Sequence, residues 1–213
     1  MIRRLVAGLA VLLGILAFEA GPAQADGPSV TAAQWICVGA PVPAGHVITM
    51  INPNGGCGTS GRMYVEPARN GMWTCQGSPL PEPYVITMLN PSGCGGVGRY
   101  IELPRNGMWT CLGSPVPAEY VITMLNPSGC GGMGRYIETA RNGMWTCLGS
   151  PIPTPYVIVR LNPNGCGGTG RYIETARSDM WICWGSTLPA GFRVSRSDLN
   201  GCGGGGADYI VRA

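Results

Sequence analysis

The sequence has few charged side chains. Only 12% of its 213 residues are charged, and the formal net charge is +3. Lysine is absent, so all 14 basic residues are arginines. A charge balance this small provides no electrostatic basis for binding nucleic acid or an anionic membrane surface. We therefore expect no nucleic-acid partner.

Groups suited to catalysis are also scarce. Nucleophilic catalysis needs a general base beside a serine or cysteine, and His46 is the only histidine. When the chain is aligned on its recurrent tryptophans, the slot of His46 is filled by Tyr84, Tyr120, Tyr156 and Phe192. This favours a planar packing residue over a base. The sequence predicts a protein that is not an enzyme and uses no cofactor.

Metal-binding and phosphate-binding motifs are missing as well. Zinc sites use closely spaced cysteines, or cysteine with histidine, and no Cys-x-x-Cys occurs among the ten cysteines. The glycine clusters lack the lysine and the helix of a phosphate loop. Recurrent methionines are explained better by core packing than by copper binding. We expect no metal site.

The first residues have the pattern of a secretory signal peptide. Arg3 and Arg4 form a short positive region, residues 5–18 are apolar and uncharged, and Ala23-Gln24-Ala25 fits the small-x-small cleavage pattern. The apolar run is too short to span a bilayer comfortably, and no second long run follows. We expect cleavage after Ala25, a secreted or cell-surface protein, and no transmembrane segment in the mature chain.

Glycine, proline and cysteine are abundant, with 35, 19 and 10 residues, and they are arranged in a repeat. The pattern Trp-x-Cys-x-Gly recurs every 36 to 38 residues. The first and fifth units diverge, as terminal repeats do when one side lacks a neighbour. The predicted division is a signal peptide at 1–25, an N-terminal lead-in at 26–34, and repeats 1 to 5 at 35–72, 73–108, 109–144, 145–180 and 181–213.

Each repeat is predicted to contain about three short strands, at 108–112, 120–125 and 135–139 for the third unit. The Gly-Ser-Pro-x-Pro segment separates the first two strands, because proline cannot continue a strand ladder. The Asn-Gly pairs before Trp73, Trp109 and Trp145 are strong hairpin signals. They predict a hairpin between successive repeats.

Alternation along the strands predicts which side chains face the core. Trp109 and Cys111 share a side, which we expect to be inward because the bridge needs cover. On the third strand, Tyr136 and Glu138 share the opposite, outward side, so Ile137 is expected to face in.

These features predict an all-β fold of five tandem, disulfide-bonded repeats of ~36 residues. One architecture is an open array in which each repeat contacts only its neighbours. The alternative is a closed five-bladed ring, sealed by pairing residues 29–35 with residues 209–212. Three strands per unit are few for a ring blade, which favours the open array.

Each repeat holds two cysteines, and the export signal places them in an oxidising compartment. A unit of ~36 residues is below the size at which an apolar core alone suffices. One bridge closing about 20 residues contributes roughly 3 kcal/mol on the chain-entropy model. The predicted bridges are Cys37–Cys57, Cys75–Cys94, Cys111–Cys130, Cys147–Cys166 and Cys183–Cys202. Bridges between adjacent repeats are the alternative.

Three polar or aromatic positions recur once per repeat on the predicted outward side. They are Tyr64, Tyr100, Tyr136, Tyr172 and Tyr209; Glu102, Glu138 and Glu174; and Arg69, Arg105, Arg141 and Arg177. Aromatic surfaces beside polar groups suit sugars, and weak sites in tandem gain strength through multivalency. The competing interpretation is that these rows are ordinary cross-strand pairs and surface Arg–Glu contacts.

The sequence therefore predicts a secreted, non-enzymatic repeat protein that binds a glycan or cell-wall polymer at several equivalent sites. A structural or adhesive envelope protein is the alternative, favoured by near-identical repeats, dense disulfides and few charges. A third hypothesis is an inhibitor or toxin-like effector that presents the Pro-x-Pro loops to a protein target.

Overall fold

The computed structural model describes residues 32–94 and 96–213. The predicted signal peptide and most of the lead-in lie outside the described residues. The described strands are β1 (Gln34–Cys37), β2 (His46–Asn52), β3 (Arg62–Pro67), β4 (Met72–Thr74), β5 (Val85–Asn90), β6 (Gly98–Glu102), β7 (Met108–Cys111), β8 (Tyr120–Asn126), β9 (Gly134–Thr139), β10 (Met144–Thr146), β11 (Tyr156–Asn162), β12 (Gly170–Thr175), β13 (Met180–Cys183), β14 (Phe192–Asp198) and β15 (Ala207–Arg212). Single helical turns lie at Cys130–Gly132, Cys166–Gly168 and Gly201–Gly204. In this part of the chain, none of the helices is long and apolar enough to cross a membrane.

The strands form five three-stranded antiparallel sheets in tandem, so the predicted open all-β array is confirmed. In every sheet the third strand in sequence is central, with the first and second strands at its edges. Within the described residues, β1 pairs with β3, and β15 pairs with β13 and β14. The strands that a closed ring would join are thus paired inside their own sheets. The repeat boundaries themselves remain a prediction.

The predicted hairpin between successive repeats is wrong. Asn106-Gly107 joins β6 to β7, and these strands belong to different sheets. The Gly107 N–H instead donates to the carbonyl oxygen of Ile137 at 3.0 Å, and Asn106 Oδ1 accepts the N–H of Thr139 at 2.8 Å. Both partners lie in or at the end of β9. The Asn-Gly turn therefore attaches the start of each sheet to the central strand of that same sheet.

Each internal core is assembled from three consecutive repeats. The core of the third sheet contains Met108, Ile122 and Ile137 from its own strands, Val85 from the preceding sheet and Cys147 from the following repeat. The second and fourth sheets have equivalent cores. A unit this small buries its apolar face only by packing against its neighbours.

Among the described residues, the first and last sheets each pack against one neighbouring sheet, and the sequence differs there. Val157 is fully buried in the core of the last sheet, whereas the equivalent position of the last repeat holds the exposed Arg193. At the other end Cys37 is exposed, whereas Cys111 is fully buried in the core of the preceding sheet. The terminal repeats therefore diverge at positions that are buried between sheets elsewhere in the array.

All five bridges form within repeats, as predicted, and bridges between repeats are not used. The pairs are Cys37–Cys57, Cys75–Cys94, Cys111–Cys130, Cys147–Cys166 and Cys183–Cys202. Although each bridge joins two residues of one repeat, the internal bridges pack into the core of the preceding sheet. A bridge therefore supports two repeats at once.

The serine of the Gly-Ser-Pro motif also links adjacent repeats. Ser114 Oγ accepts the backbone N–H of Ile86 at 2.9 Å, and both groups are buried. The equivalent bonds join Ile48 to Ser78, Ile122 to Ser150 and Ile158 to Ser186. Each gives a backbone N–H of one sheet an acceptor in the next repeat.

Replacing Ser114 with alanine is expected to lower the free energy of unfolding by about 1–3 kcal/mol, because the buried Ile86 N–H loses its acceptor. Urea denaturation measures the change. The matched control is Ser128→Ala, since Ser128 is exposed in a turn, and its effect should stay within about 0.5 kcal/mol. Equal effects for the two variants would contradict a linking role for Ser114.

Removing the Cys111–Cys130 bridge by C111A/C130A is expected to cost about 2–5 kcal/mol, because the bridge lies in the core of the preceding sheet. C37A/C57A should cost less, since Cys37 is exposed and belongs to none of the cores of the described residues. E102Q should change stability less than either, because the pair with Arg105 is at the surface and the amide oxygen of glutamine can still accept the Thr87 hydroxyl. Thermal unfolding under oxidising conditions ranks the three variants, and equal midpoints would refute the ranking.

Candidate functional site

One tryptophan per repeat lies on the outer surface of its sheet. These residues are 39–45% exposed: Trp35, Trp73, Trp109, Trp145 and Trp181. The prediction that Trp109 faces inward with Cys111 is therefore wrong. Met108 and Thr110 point into the core and Trp109 points out. Cys111 is buried because the preceding repeat covers the end of the strand.

Each exposed tryptophan packs against the tyrosine opposite it on the central strand. In the third sheet, Trp109 is in register with Tyr136, with ring centroids 5.2 Å apart. The five pairs have centroid distances of 5.1–5.3 Å and interplanar angles of 54–67°. Tilted pairs of this kind add about 0.5–1.5 kcal/mol beyond area burial. The predicted tyrosine row thus exists, and the tryptophans supply most of its exposed aromatic area.

The second strand adds a third side chain to each pair. In the third sheet, Met124 is in register with Tyr136. A bulge between Ile122 and Met124 allows Ile122 to face the core while Met124 faces out. The equivalent residues are Met50, Met88, Met124, Arg160 and Arg196. We call the five Trp–Tyr–Met or Trp–Tyr–Arg rows the aromatic face.

The Asn-Gly turn holds the tyrosine of the aromatic face in place. Gly107 has a φ of 75°, in the left-handed region that favours glycine. A Cβ atom at Gly107 would lie 2.8 Å from Oη of Tyr136. The tyrosine is therefore packed between the indole of Trp109 and the backbone of the turn. Glycine is favoured there both by the backbone angle and by the close approach, although Asp179 fills the equivalent position of the last sheet at a φ of 64°.

The predicted glutamate and arginine rows pair with each other. The Glu–Arg distances are 2.6, 3.2, 3.3 and 2.7 Å in repeats 1 to 4, and the arginine side chains are 62–66% exposed. In the third repeat, Glu138 lies two residues beyond Tyr136 on β9, and Arg141 follows the end of the strand. Exposed pairs of this kind contribute little to stability. The two rows lie beyond the aromatic face along the chain and largely neutralise one another.

Grooves lie along the aromatic face where consecutive repeats meet. One has a volume of 430 Å³ and is lined by Trp73 and Met88 of repeat 2 and by Trp109, Gly129 and Cys130 of repeat 3. An equivalent groove of 380 Å³ lies between repeats 4 and 5. Such volumes are within the range of small-ligand sites.

His46 has the packing role that the aligned repeats predict. It begins β2 as Tyr120 begins β8, and it is 5% exposed. Its Nδ1 lies 3.1 Å from the carbonyl oxygen of Ala44. In the equivalent slot Tyr84 donates its hydroxyl to the carbonyl oxygen of Ala68 in the preceding repeat. Among residues 32–94 and 96–213, no cluster of three or more His, Cys, Asp or Glu residues is placed to hold a metal ion.

The sequence did not predict that the tryptophans and the methionines of the aromatic face are exposed. Trp109 and Cys111 are two residues apart on one strand, which predicts that both side chains face the core. The recurrence of methionine likewise predicts core packing. The Met-Trp-Thr triplet carried the opposite signal: a buried methionine and threonine on either side require an outward tryptophan. The bulge that turns Met124 outward has no marker in the strand sequence.

No protein-family model, no curated protein and no solved structure matches this chain. The class of protein is defined by the fold, an open array of disulfide-bonded β-repeats, and by the aromatic face that the array carries.

Replacing Gly107 with alanine is expected to destabilise the protein more than Gly113→Ala. Both glycines have positive φ, 75° and 82°, but only Gly107 adjoins another group, the hydroxyl of Tyr136. Backbone strain therefore affects both variants by about 1–2 kcal/mol, while G107A must also displace Tyr136. Near-ultraviolet circular dichroism should change in G107A alone. Identical spectra and stabilities would show that Gly107 does not position the aromatic face.

Proposed function

We propose that this protein is a secreted, non-enzymatic binding protein that acts at a cell surface and holds a glycan or cell-wall polymer along its aromatic face. The observation that carries the proposal is the recurrence of an exposed tryptophan, 39–45% accessible, on a tyrosine in each of the five sheets. Isolated exposed apolar residues are ordinary on protein surfaces, but a periodic row of them is typical of an interaction surface.

The chemistry of the aromatic face suits sugars. A sugar ring has an apolar side of C–H groups that packs against an indole, and hydroxyl groups at its edge that need polar partners. The Trp109–Tyr136 pair offers a ring surface of this kind, and its tyrosine adds a hydroxyl group. One such contact is weak, since it buries little area and leaves most of the sugar in water.

Repetition compensates for the weakness of each contact. The rows are held at fixed intervals because consecutive sheets share their cores and are joined by buried hydrogen bonds. A polymer that has bound one row therefore meets the next at high effective concentration, so the avidity exceeds the affinity of any single row. A rigid periodic surface is matched best by a ligand that is itself periodic.

A structural or adhesive envelope role is the second candidate. It is favoured by the five disulfides and by cores that each unite three repeats. Such a scaffold resists local unfolding and proteolysis, because no repeat opens without exposing the core of another. This role requires no soluble ligand.

The deciding experiment is a carbohydrate-array screen of the oxidised protein, residues 26–213, that includes cell-wall fragments. Binding should fall by more than about 100-fold in W73A/W109A/W145A, and by much less in W109A alone, because the rows act together. Replacing Tyr100, Tyr136 and Tyr172 together should also weaken binding, since these rings support the tryptophans.

The matched control is E102Q/E138Q/E174Q, which alters three predicted residues without touching the aromatic rings. Its binding should equal that of the unmodified protein, and circular dichroism should show that every variant is folded. Binding that survives the triple tryptophan variant would refute the aromatic face as the site. The absence of binding to any glycan would favour the structural role.

A further inference from the structure

The aromatic face changes its chemistry along the array. The position opposite the tyrosine holds methionine in the first three repeats and arginine in the last two, at Arg160 and Arg196. Repeats 3 and 4 are otherwise nearly identical around this position. The exchange of Met124 for Arg160 in an unchanged row places a charge on a surface that is apolar one repeat earlier.

Both arginines lie over the aromatic rings and are exposed. The guanidinium carbon of Arg196 is 4.4 Å from the ring centroid of Tyr209 and 5.3 Å from that of Trp181. That of Arg160 is 5.7 Å from the ring centroid of Tyr172. Guanidinium groups are attracted to aromatic rings at these distances, and the planar group keeps several N–H donors available at its edge.

These two cations are not neutralised within the part of the chain that the structure describes. Arg141 and Arg177 each contact a glutamate, whereas neither Arg160 nor Arg196 has a carboxylate oxygen within 4.0 Å. They differ in this from the arginines of the predicted Arg row. An exposed, unpaired guanidinium on a binding surface is suited to an anion from outside the protein.

The nearby carboxylates have other partners. Asp198 lines the 380 Å³ groove together with Arg160 and Trp181, and it accepts the backbone N–H of Asn200 at 2.9 Å. Asp208 accepts the hydroxyl of Ser197 at 2.6 Å and the indole N–H of Trp184 at 3.1 Å. The groove thus holds one carboxylate, while two arginines lie on the same stretch of the aromatic face.

From this arrangement, and resting on the proposed function, we infer that the aromatic face of repeats 4 and 5 binds acidic glycans. The ligand is a polysaccharide that contains uronic acids, whose carboxylates pair with Arg160 and Arg196 while the sugar rings pack on Trp145 and Trp181. The rows of repeats 2 and 3, with Met88 and Met124, bind neutral sugar units of the same chain.

The test compares uronic-acid polysaccharides with their carboxyl-reduced forms, which have the same linkages but no charge. Hyaluronan and glucuronoxylan, which contain both uronic acids and neutral sugar units, are the probes, measured by affinity electrophoresis and by calorimetry on oligomers. Binding to at least one acidic form should exceed binding to its reduced form by at least about tenfold, which corresponds to about 1.4 kcal/mol. The preference should shrink as salt concentration rises.

The variant R160M/R196M should abolish the preference without unfolding the protein, because methionine occupies the same position in three other repeats. R193Q is the matched control, since Arg193 is also an exposed arginine of the last repeat but belongs to none of the rows of the aromatic face; its preference should be unchanged. The converse variant M124R should raise affinity for the acidic form.

The outcomes separate this inference from the proposed function. Equal binding to acidic and reduced forms, lost in W73A/W109A/W145A, would overturn the inference and leave the glycan-binding role intact. A preference for the acidic form that persists in R160M/R196M would overturn the assignment to these arginines. Failure to bind these polysaccharides in either form would overturn the inference, and failure to bind any glycan of the array would overturn the proposed function as well.

Discussion

The structure depends on the sharing of cores between repeats. No internal sheet supplies all the apolar groups that cover it: the core of the third sheet needs Val85 from the preceding sheet and Cys147 from the following repeat. Because a unit of ~36 residues is too small to bury enough apolar area alone, stability is a property of neighbouring pairs. The disulfides, the glycine turns and the Gly-Ser-Pro serines all act at these junctions.

This dependence fixes the aromatic face. The tryptophan of each internal sheet lies outside the core, because methionine, isoleucine and a cysteine of the next repeat already fill the space beneath the sheet. Because the contacts between repeats recur along the array, the exposed Trp–Tyr pairs recur with nearly the same distance between their rings. The surface that we propose for binding is therefore a by-product of the way in which the repeats stabilise one another.

The sequence predicted the repeat, the strands, the open array and the bridges, because these leave local and periodic marks. Prolines interrupt strands wherever they occur, and Cys111 and Cys130 recur with constant spacing. The predicted side-chain orientations were wrong where contacts between repeats decide which residues are buried. Alternation predicts that Cys111 and Trp109 are both buried. In the structure the preceding repeat buries Cys111, while Trp109 stays exposed.

The Asn-Gly turns show the same limit. Their residue types indicated a tight turn correctly, with positive φ at Gly107, but local chemistry does not say which strands a turn pairs. The bulge at Ile122–Met124 is similar, because it arises from the register between strands and decides which methionines face out. The roles of the tyrosine, glutamate and arginine rows in binding remain predictions.

The exposed Arg193 has a consequence for how such a chain lengthens. A further sheet packed against the last one would need the buried valine that Arg193 replaces. A new unit added after the last repeat would find no partner for its core, whereas a unit duplicated between two internal repeats finds both. Lengthening such an array by a copy of an internal repeat therefore keeps every shared core complete, whereas lengthening it past Arg193 does not.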